Sequence, residues 1–448
     1  MKQLWLITAV VLAGLGCSEQ VRKRAKKLKR QGDAPPVVMV DREVRGVSNL
    51  ADEIEPNDDA AQVMKLVAPA GVRGRFTTEK DVDLYEIEAP SAGMLSVEVT
   101  GIKDADLRVD IIDGDKVIFR SDHAGPGVGE GFPNLPVKKG EKLVVRVSEL
   151  VSKARLKRRK RKKVKASDKP REGASDPYDL RAVVVAEPPE GAEVEPNSKS
   201  DGARELMLGE RGNGYIGWAG DRDRWRVSLL GFSPGHSLDV SVTGVPGAVL
   251  TVDVLGPDGK IVTKRIGTRG QSVFVTSLEP GKGPSHYDIQ ISGSRSNPID
   301  GYQIKAWSRR FETGDEIEPN DDAASATKVG DDGASKGEVR GSLMGGDRDV
   351  LSLPKPSEPS VLNLSMQVPP GGDFAVTVRQ GGRALAKADG GKQGAAEKLV
   401  GVPVDAGKTI LLIVTGKHTG DADGTYSIQW DFAADQGGFE DPPDDQLE

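Results

Sequence analysis

Glu53-Ile54-Glu55-Pro56-Asn57-Asp58 returns as Glu193-Val194-Glu195-Pro196-Asn197-Ser198 and again as Glu316-Ile317-Glu318-Pro319-Asn320-Asp321. Each copy is followed by two aspartates separated by one residue: Asp81 and Asp83, Asp221 and Asp223, Asp347 and Asp349. From the glutamate before the proline to the first aspartate the offsets are 26, 26 and 29 residues. A pattern kept three times over marks a tandem array. The chain length of 448 residues suits about three domains.

Working outward, each aspartate pair opens an alternating segment. Tyr85 and Ile87, Trp225 and Val227, and Leu351 and Leu353 fall on the aspartates' side, because alternate strand residues share a face. A second alternating run follows: Leu95, Val97 and Val99; Leu238, Val240 and Val242; Leu362, Leu364 and Met366. Hairpin turns are expected at Asp113-Gly114-Asp115, Pro257-Asp258-Gly259 and Gln380-Gly381-Gly382. A last hairpin is expected to close each copy. Its inner strand covers 143–147, 289–291 or 410–414, and its outer strand begins at Tyr178, Tyr302 or Tyr426. With 55 glycines, 28 prolines and no long helical periodicity, the chain reads as all-β: three tandem antiparallel β-sandwiches over 53–187, 193–308 and 316–432, then an acidic tail over 433–448.

The aspartates share a face with core positions and so point partly inward, where an unpaired carboxylate is costly. Two readings are open. Glu, Asn and Asp without His or Cys form an oxygen-only set suited to a hard cation such as calcium. Alternatively, the aspartates accept backbone N–H groups from the Glu-Pro-Asn turn and pin the leading segment to the sheet. Arg222 and Arg348, each between its two aspartates, are candidate ion-pair partners.

The order Glu-x-Glu-Pro-Asn-Asp, a gap, Asp-x-Asp, and a terminal Gly-x-Tyr strand resembles the bacterial pre-peptidase C-terminal domain. That resemblance implies a jelly-roll-like sandwich of a kind commonly appended to secreted peptidases, although no peptidase precedes the modules here. In collagenase-type relatives the equivalent positions bind calcium. Carried over, the implied ligands are Glu53, Glu55, Asn57, Asp58, Asp81 and Asp83 in the first module, and Glu316, Glu318, Asn320, Asp321, Asp347 and Asp349 in the third. Ser198 and Lys199 depart from the pattern, which implies a weaker or absent site on Glu193, Glu195, Asn197, Asp221 and Asp223.

The N-terminus points to export. Lys2 precedes an apolar run over 4–15 that is too short to span a bilayer, so residues 1–16 read as a cleaved signal. Leu12-Ala13-Gly14-Leu15-Gly16-Cys17 resembles a bacterial lipobox, with Gly14 where leucine is usual, and implies diacylation of Cys17. Cys17 is the only cysteine, so neither an internal disulfide nor a thiolate metal cluster can form. Acyl chains would hold the protein on a membrane. Ser18 in place of Asp implies, within the same resemblance, sorting to the outer membrane.

Charge is polarised. Residues 22–30, in the tether over 17–52, hold seven bases and residues 153–165 hold ten, while the chain as a whole carries 62 bases and 68 acids. The first run is either a solvated tether or a contact for anionic headgroups. The second sits in an insertion over 149–175. Its Lys157, Arg158, Arg159, Lys160, Arg161, Lys162 and Lys163 read either as a passive loop or as a finger for lipopolysaccharide or acidic polysaccharide. No aromatics are interleaved, which argues against nucleic acid. His123, His236, His286 and His418 are scattered, and no nucleophile, zinc or phosphate-loop motif appears. The expectation is a non-catalytic, envelope-anchored structural or ligand-binding lipoprotein, its modules strung as beads, with an anionic envelope polymer or a protein as partner. The rival readings are an accessory or inhibitory partner of a secreted peptidase, and a hydrolase with a loop-built site.

Overall fold

The structure, a computed structural model, describes residue 47 and residues 49–150 and 176–434, apart from 79–80, 104, 115, 123–124, 189, 219, 282, 421–422 and the side chain of 299. Cys17, both basic runs and most of the acidic tail lie outside the described residues.

The described strands form six sheets, two per module. In the first module Ala51–Asp52, Ala70–Gly74, Tyr178–Val185, Gly93–Val99 and Glu130–Val137 lie side by side in that order. Against them packs a sheet of Met64–Val67, Val82–Glu88, Lys142–Glu149, Leu107–Asp113 and Lys116–Ser121. The other modules repeat this plan, and among the described residues no α-helix occurs. Pairing is antiparallel except at the sheet edges, where Ala51–Asp52, Met64–Val67, Arg204–Glu205 and Thr327–Lys328 run parallel to their neighbours.

The alternation read from sequence places side chains as expected. Tyr85, Ile87, Leu95, Val97 and Val99 are buried in one core, and their counterparts fill two more. Each fully buried aliphatic side chain stabilises its module by roughly 1.5–3 kcal/mol before chain entropy is counted. All three central hairpins form: Asp113 pairs with Lys116, Leu255 with Ile261 and Gln380 with Arg383.

The closing hairpin does not form in any module. Lys142–Glu149 pairs with Val82–Glu88 and Leu107–Asp113, whereas Tyr178–Val185 pairs with Ala70–Gly74 and Gly93–Val99 in the opposite sheet. His286–Gly293 and Asn297–Arg310, and likewise Ile410–His418 and Thr425–Ala434, are divided in the same way. Periodicity reports which side of a strand is apolar. It does not report which of two facing sheets the strand joins.

A bulge recurs in the strand before the divided pair. The register slips between Leu95 and Val97, Leu238 and Val240, and Leu362 and Leu364. Opposite the slips stand Asn134, Ser277 and Gly401, with φ of 53°, 57° and 72°. An extra residue in the left-handed region makes the strand jut out locally. The next module docks on the first two of these knuckles. Glu195 N–H donates to Asn134 O at 3.3 Å, and Glu318 N–H donates to Ser277 O at 2.8 Å. Trp218 of the second module also packs between Phe119 and Phe132 of the first, with ring centroids 4.9 and 6.3 Å away. The modules are therefore joined end to end by specific contacts, not strung as independent beads.

Candidate cation sites at the module ends

Each Glu-x-Glu-Pro-Asn segment caps its own sandwich, and its Glu-Pro peptide is cis in all three modules. The second module shows the arrangement most fully. Glu193 accepts Tyr215 N–H at 2.6 Å and the Asn197 side-chain amide at 3.2 Å. Glu195 accepts Asn197 N–H at 3.0 Å, and Asp221 accepts Gly217 N–H at 2.6 Å. Deeper in, the Tyr302 hydroxyl donates to Asp223 at 2.7 Å and accepts from the Trp225 indole at 2.9 Å. Tyr178 and Tyr426 make the matching bonds to Asp83 and Asp349, the latter at 2.6 Å.

Three glycines make room for the tyrosines. A Cβ on Gly74, Gly214 or Gly341 would lie within 2.5 Å of the ring of Tyr178, Tyr302 or Tyr426. These glycines and the role of the tyrosine hydroxyls were not picked out from sequence. The signal was there, since each glycine precedes its first aspartate by six or seven residues.

The carboxylates converge. Ligand oxygens of Glu53, Glu55 and Asp83, of Glu193, Glu195 and Asp223, and of Glu316, Glu318 and Asp349 lie within 4.8 Å of one another in each group, as do those of Glu55, Asp58 and Asp81. Asp58 and Asp321 are exposed at the rim. Ser198 at the matching place thus takes no oxygen from the buried trio of the second module. Asn57, Asn197 and Asn320 are fully buried beside the carboxylates.

Burial drives the electrostatics. It pushes the carboxyl of Glu53 up to about 7, Asp83 to about 9, Glu195 to about 8 and Asp221 to about 7, with neighbouring carboxylates adding to the rise in Glu53, Asp83 and Glu195. In the third module burial raises Glu318 to about 7 and Asp347 to about 6, against the pull of Arg265. Several buried oxygens have no hydrogen-bond partner: Asp83 Oδ1 in the first module, Glu195 Oε1, Asn197 Oδ1 and Asp223 Oδ1 in the second, and Glu316 Oε2 and Asp349 Oδ1 in the third. Converging buried carboxylates, with partnerless carboxylate and amide oxygens among the same residues, suit a hard cation or a shared proton. The leading segment is also pinned to the sheet by hydrogen bonds, but with the expected roles exchanged. Its own Glu53, Glu193 and Glu316 accept the N–H groups of Arg75, Tyr215 and Ser342, whereas Asp221 accepts Gly217 and Arg222 N–H and Asp223 and Asp349 accept tyrosine hydroxyls.

Arg222 and Arg348 are exposed. The guanidinium that reaches the third cluster is Arg265, contributed by the second module. It lies 2.9 Å from Glu318 Oε1 and 2.9 Å from Asp347 Oδ1, with its side chain 3% exposed. Burial works against its charge, but Asp347, Glu318, Asp349 and Glu316 together hold its pKa above the usual value.

No protein-family model matches the chain, and neither does any curated protein sequence. Among solved structures, the CUB1-EGF-CUB2 region of human MASP-1/3 is 10% identical, with a TM-score of 0.18, and is matched over 50% of this chain and 99% of its own. PNGF-II is 9% identical, with a TM-score of 0.20, over 74% of this chain and 85% of its own. Likenesses at this level carry no argument about fold or activity.

Proposed function

We propose that the protein is a non-catalytic binding protein of the cell envelope, held on the outer membrane through acylated Cys17, with three docked sandwiches presenting its contact surfaces to an anionic envelope polymer. The observation that carries the non-catalytic part is where the perturbed carboxyls sit. In the second and third modules they are buried under the junction with the preceding module, bonded to tyrosine hydroxyls and backbone amides. Groups placed there are suited to joining modules and have no open face for a substrate.

Calcium is the cation that fits best. The donors are all oxygen, drawn from carboxylates and a buried Asn carbonyl, and they include the orphaned oxygens of the second module. Glu193, Glu195, Asn197 and Asp223 would hold it there, and Glu53, Glu55 and Asp83 in the first module. The ion would neutralise mutually repelling carboxylates and would do no chemistry. The polymer contact is assigned to the basic run containing Lys157 to Lys163. The test is binding of the full acylated chain to lipopolysaccharide, with and without residues 153–165. Salt-sensitive binding that disappears with the deletion is expected; equal binding by both chains would defeat the reading.

A further inference from the structure

The three modules can be superposed by pairing alone, and one row across their sheets is informative. Asp83 pairs with Val147, which pairs with Val109, which pairs with Ser121. The same row in the second module runs Asp223, Ile291, Val252 and Arg265, and in the third Asp349, Val414, Val376 and Ala388. Ser121, Arg265 and Ala388 thus hold one position. At the first junction Ser121 bonds Glu130 of its own module and reaches Gly217 O of the second at 3.5 Å. At the second junction Arg265 bridges Glu318 and Asp347.

The arginine is built in. Its other amino group donates to Thr263 Oγ1 at 2.6 Å and to Lys264 O at 3.1 Å, which fixes the guanidinium before the third module is met. Flanking contacts hold the same register: Ile266 N–H donates to Gly345 O at 2.6 Å, Glu279 N–H to Glu318 O at 2.9 Å, and Thr268 Oγ1 to His418 O at 3.1 Å. By contrast, no lysine or arginine among the described residues lies within ion-pair distance of Glu193, Glu195, Asp221 or Asp223. Glu195 Oε1, the counterpart of the oxygen that Arg265 takes on Glu318, is an orphan.

We propose that Arg265 is the resident cation of the third carboxylate cluster, doing there what the second cluster must draw from solvent, and that it latches the second module to the third without metal. The contrast between the clusters rests on the metal reading above; the latch does not. A buried guanidinium bridging two carboxylates neutralises much of the repulsion that would otherwise oppose closing the junction, and removing it leaves those charges unpaired.

The test uses the full chain and four variants: Arg265→Met, the pair Glu318→Gln with Asp347→Asn, all three changes together, and Arg265→Met with Asp349→Asn. Calorimetry in chelator is expected to show Arg265→Met lowering the transition that contains the third module by on the order of 10 °C. The triple variant should recover most of that loss, because no charge is then left unpaired. An unchanged transition in Arg265→Met overturns the latch, and so does a triple variant no better than the sum of its parts. Should Arg265→Met fail to fold, a folded triple variant supports the latch and an unfolded one overturns it. Terbium luminescence separates the two readings. If the wild-type chain binds no terbium, the metal reading fails while the thermal cycle still judges Arg265. If it binds terbium, Arg265→Met should bind one more ion per chain, lost again with Asp349→Asn, and an unchanged number overturns the replacement.

Discussion

Asp223 illustrates how a residue can be placed by pattern and given its role by neighbours. Alternation puts it on the face of Trp225 and Val227, and it is indeed fully buried. Its partner Tyr302, 79 residues away, could not be assigned from spacing. Tyr302→Phe keeps the ring but removes the donor to Asp223 and the acceptor for Trp225, so a loss of about 1–3 kcal/mol is expected in chemical denaturation. The raised carboxyls make a pH prediction. In the unfolded chain Glu53, Glu195 and Asp221 titrate near their ordinary values of 4.5, 4.5 and 3.8, whereas folded they hold their protons up to about 7, 8 and 7. The folded state binds these protons more tightly. Their contribution to stability is complete below about pH 4 and is lost as pH rises through 7 to 8. Thermal denaturation in chelator should therefore show a melting temperature falling from pH 5 to pH 8, with calcium restoring it at pH 8 by mass action on the folded state. A flat profile would mean that the carboxylates ionise without penalty.

At the scale of elements, the bulges decide where modules meet. Asn134 carries φ of 53° without being glycine, and its carbonyl receives the next module. Asn134→Gly should be tolerated, since glycine adopts that conformation freely, whereas Asn134→Val should cost about 1–3 kcal/mol by urea titration. The expectation for the basic insertion also rests on strand placement. Lys142–Glu149 and Tyr178–Val185 are central strands, each held by two neighbours in its own sheet. Shortening the connection between them changes only a loop-closure term of a few tenths of a kcal/mol. Deleting 153–165 should leave the melting temperature of the full chain within about 2 °C. A larger fall would show that the segment packs against the sandwich.

For the whole molecule, the second and third sandwiches, joined through a buried ion pair, are expected to respond together. A perturbation at Glu318 or Asp347 is expected to reach the second module through Arg265, so the third aspartate pair is not confined to its own core. Anchoring is independent of this. Cys17→Ser should shift the protein from the membrane fraction to the soluble one, or leave an uncleaved precursor, because acyl chains supply most of the membrane free energy. Equal membrane retention on fractionation would remove the lipid anchor from the proposed function.

Glu-x-Glu-Pro-Asn and Asp-x-Asp, repeated at a nearly fixed offset, together with the alternation that follows them, were enough to count the modules, to place some of the strands and to put the aspartates on the core side. These are local properties, because period-2 alternation and turn composition act over a few residues. What only the tertiary structure decided is which sheet each strand joins and which charges meet. Tyr178–Val185 and Lys142–Glu149 carry the same apolar alternation, and the choice between facing sheets depends on packing across the whole sandwich. Arg265 looks in sequence like any basic residue on a hairpin. It becomes the counter-ion of Glu318 and Asp347 only because the bulge at Ser277 seats the third module against it, which brings together charges 53 and 82 residues apart.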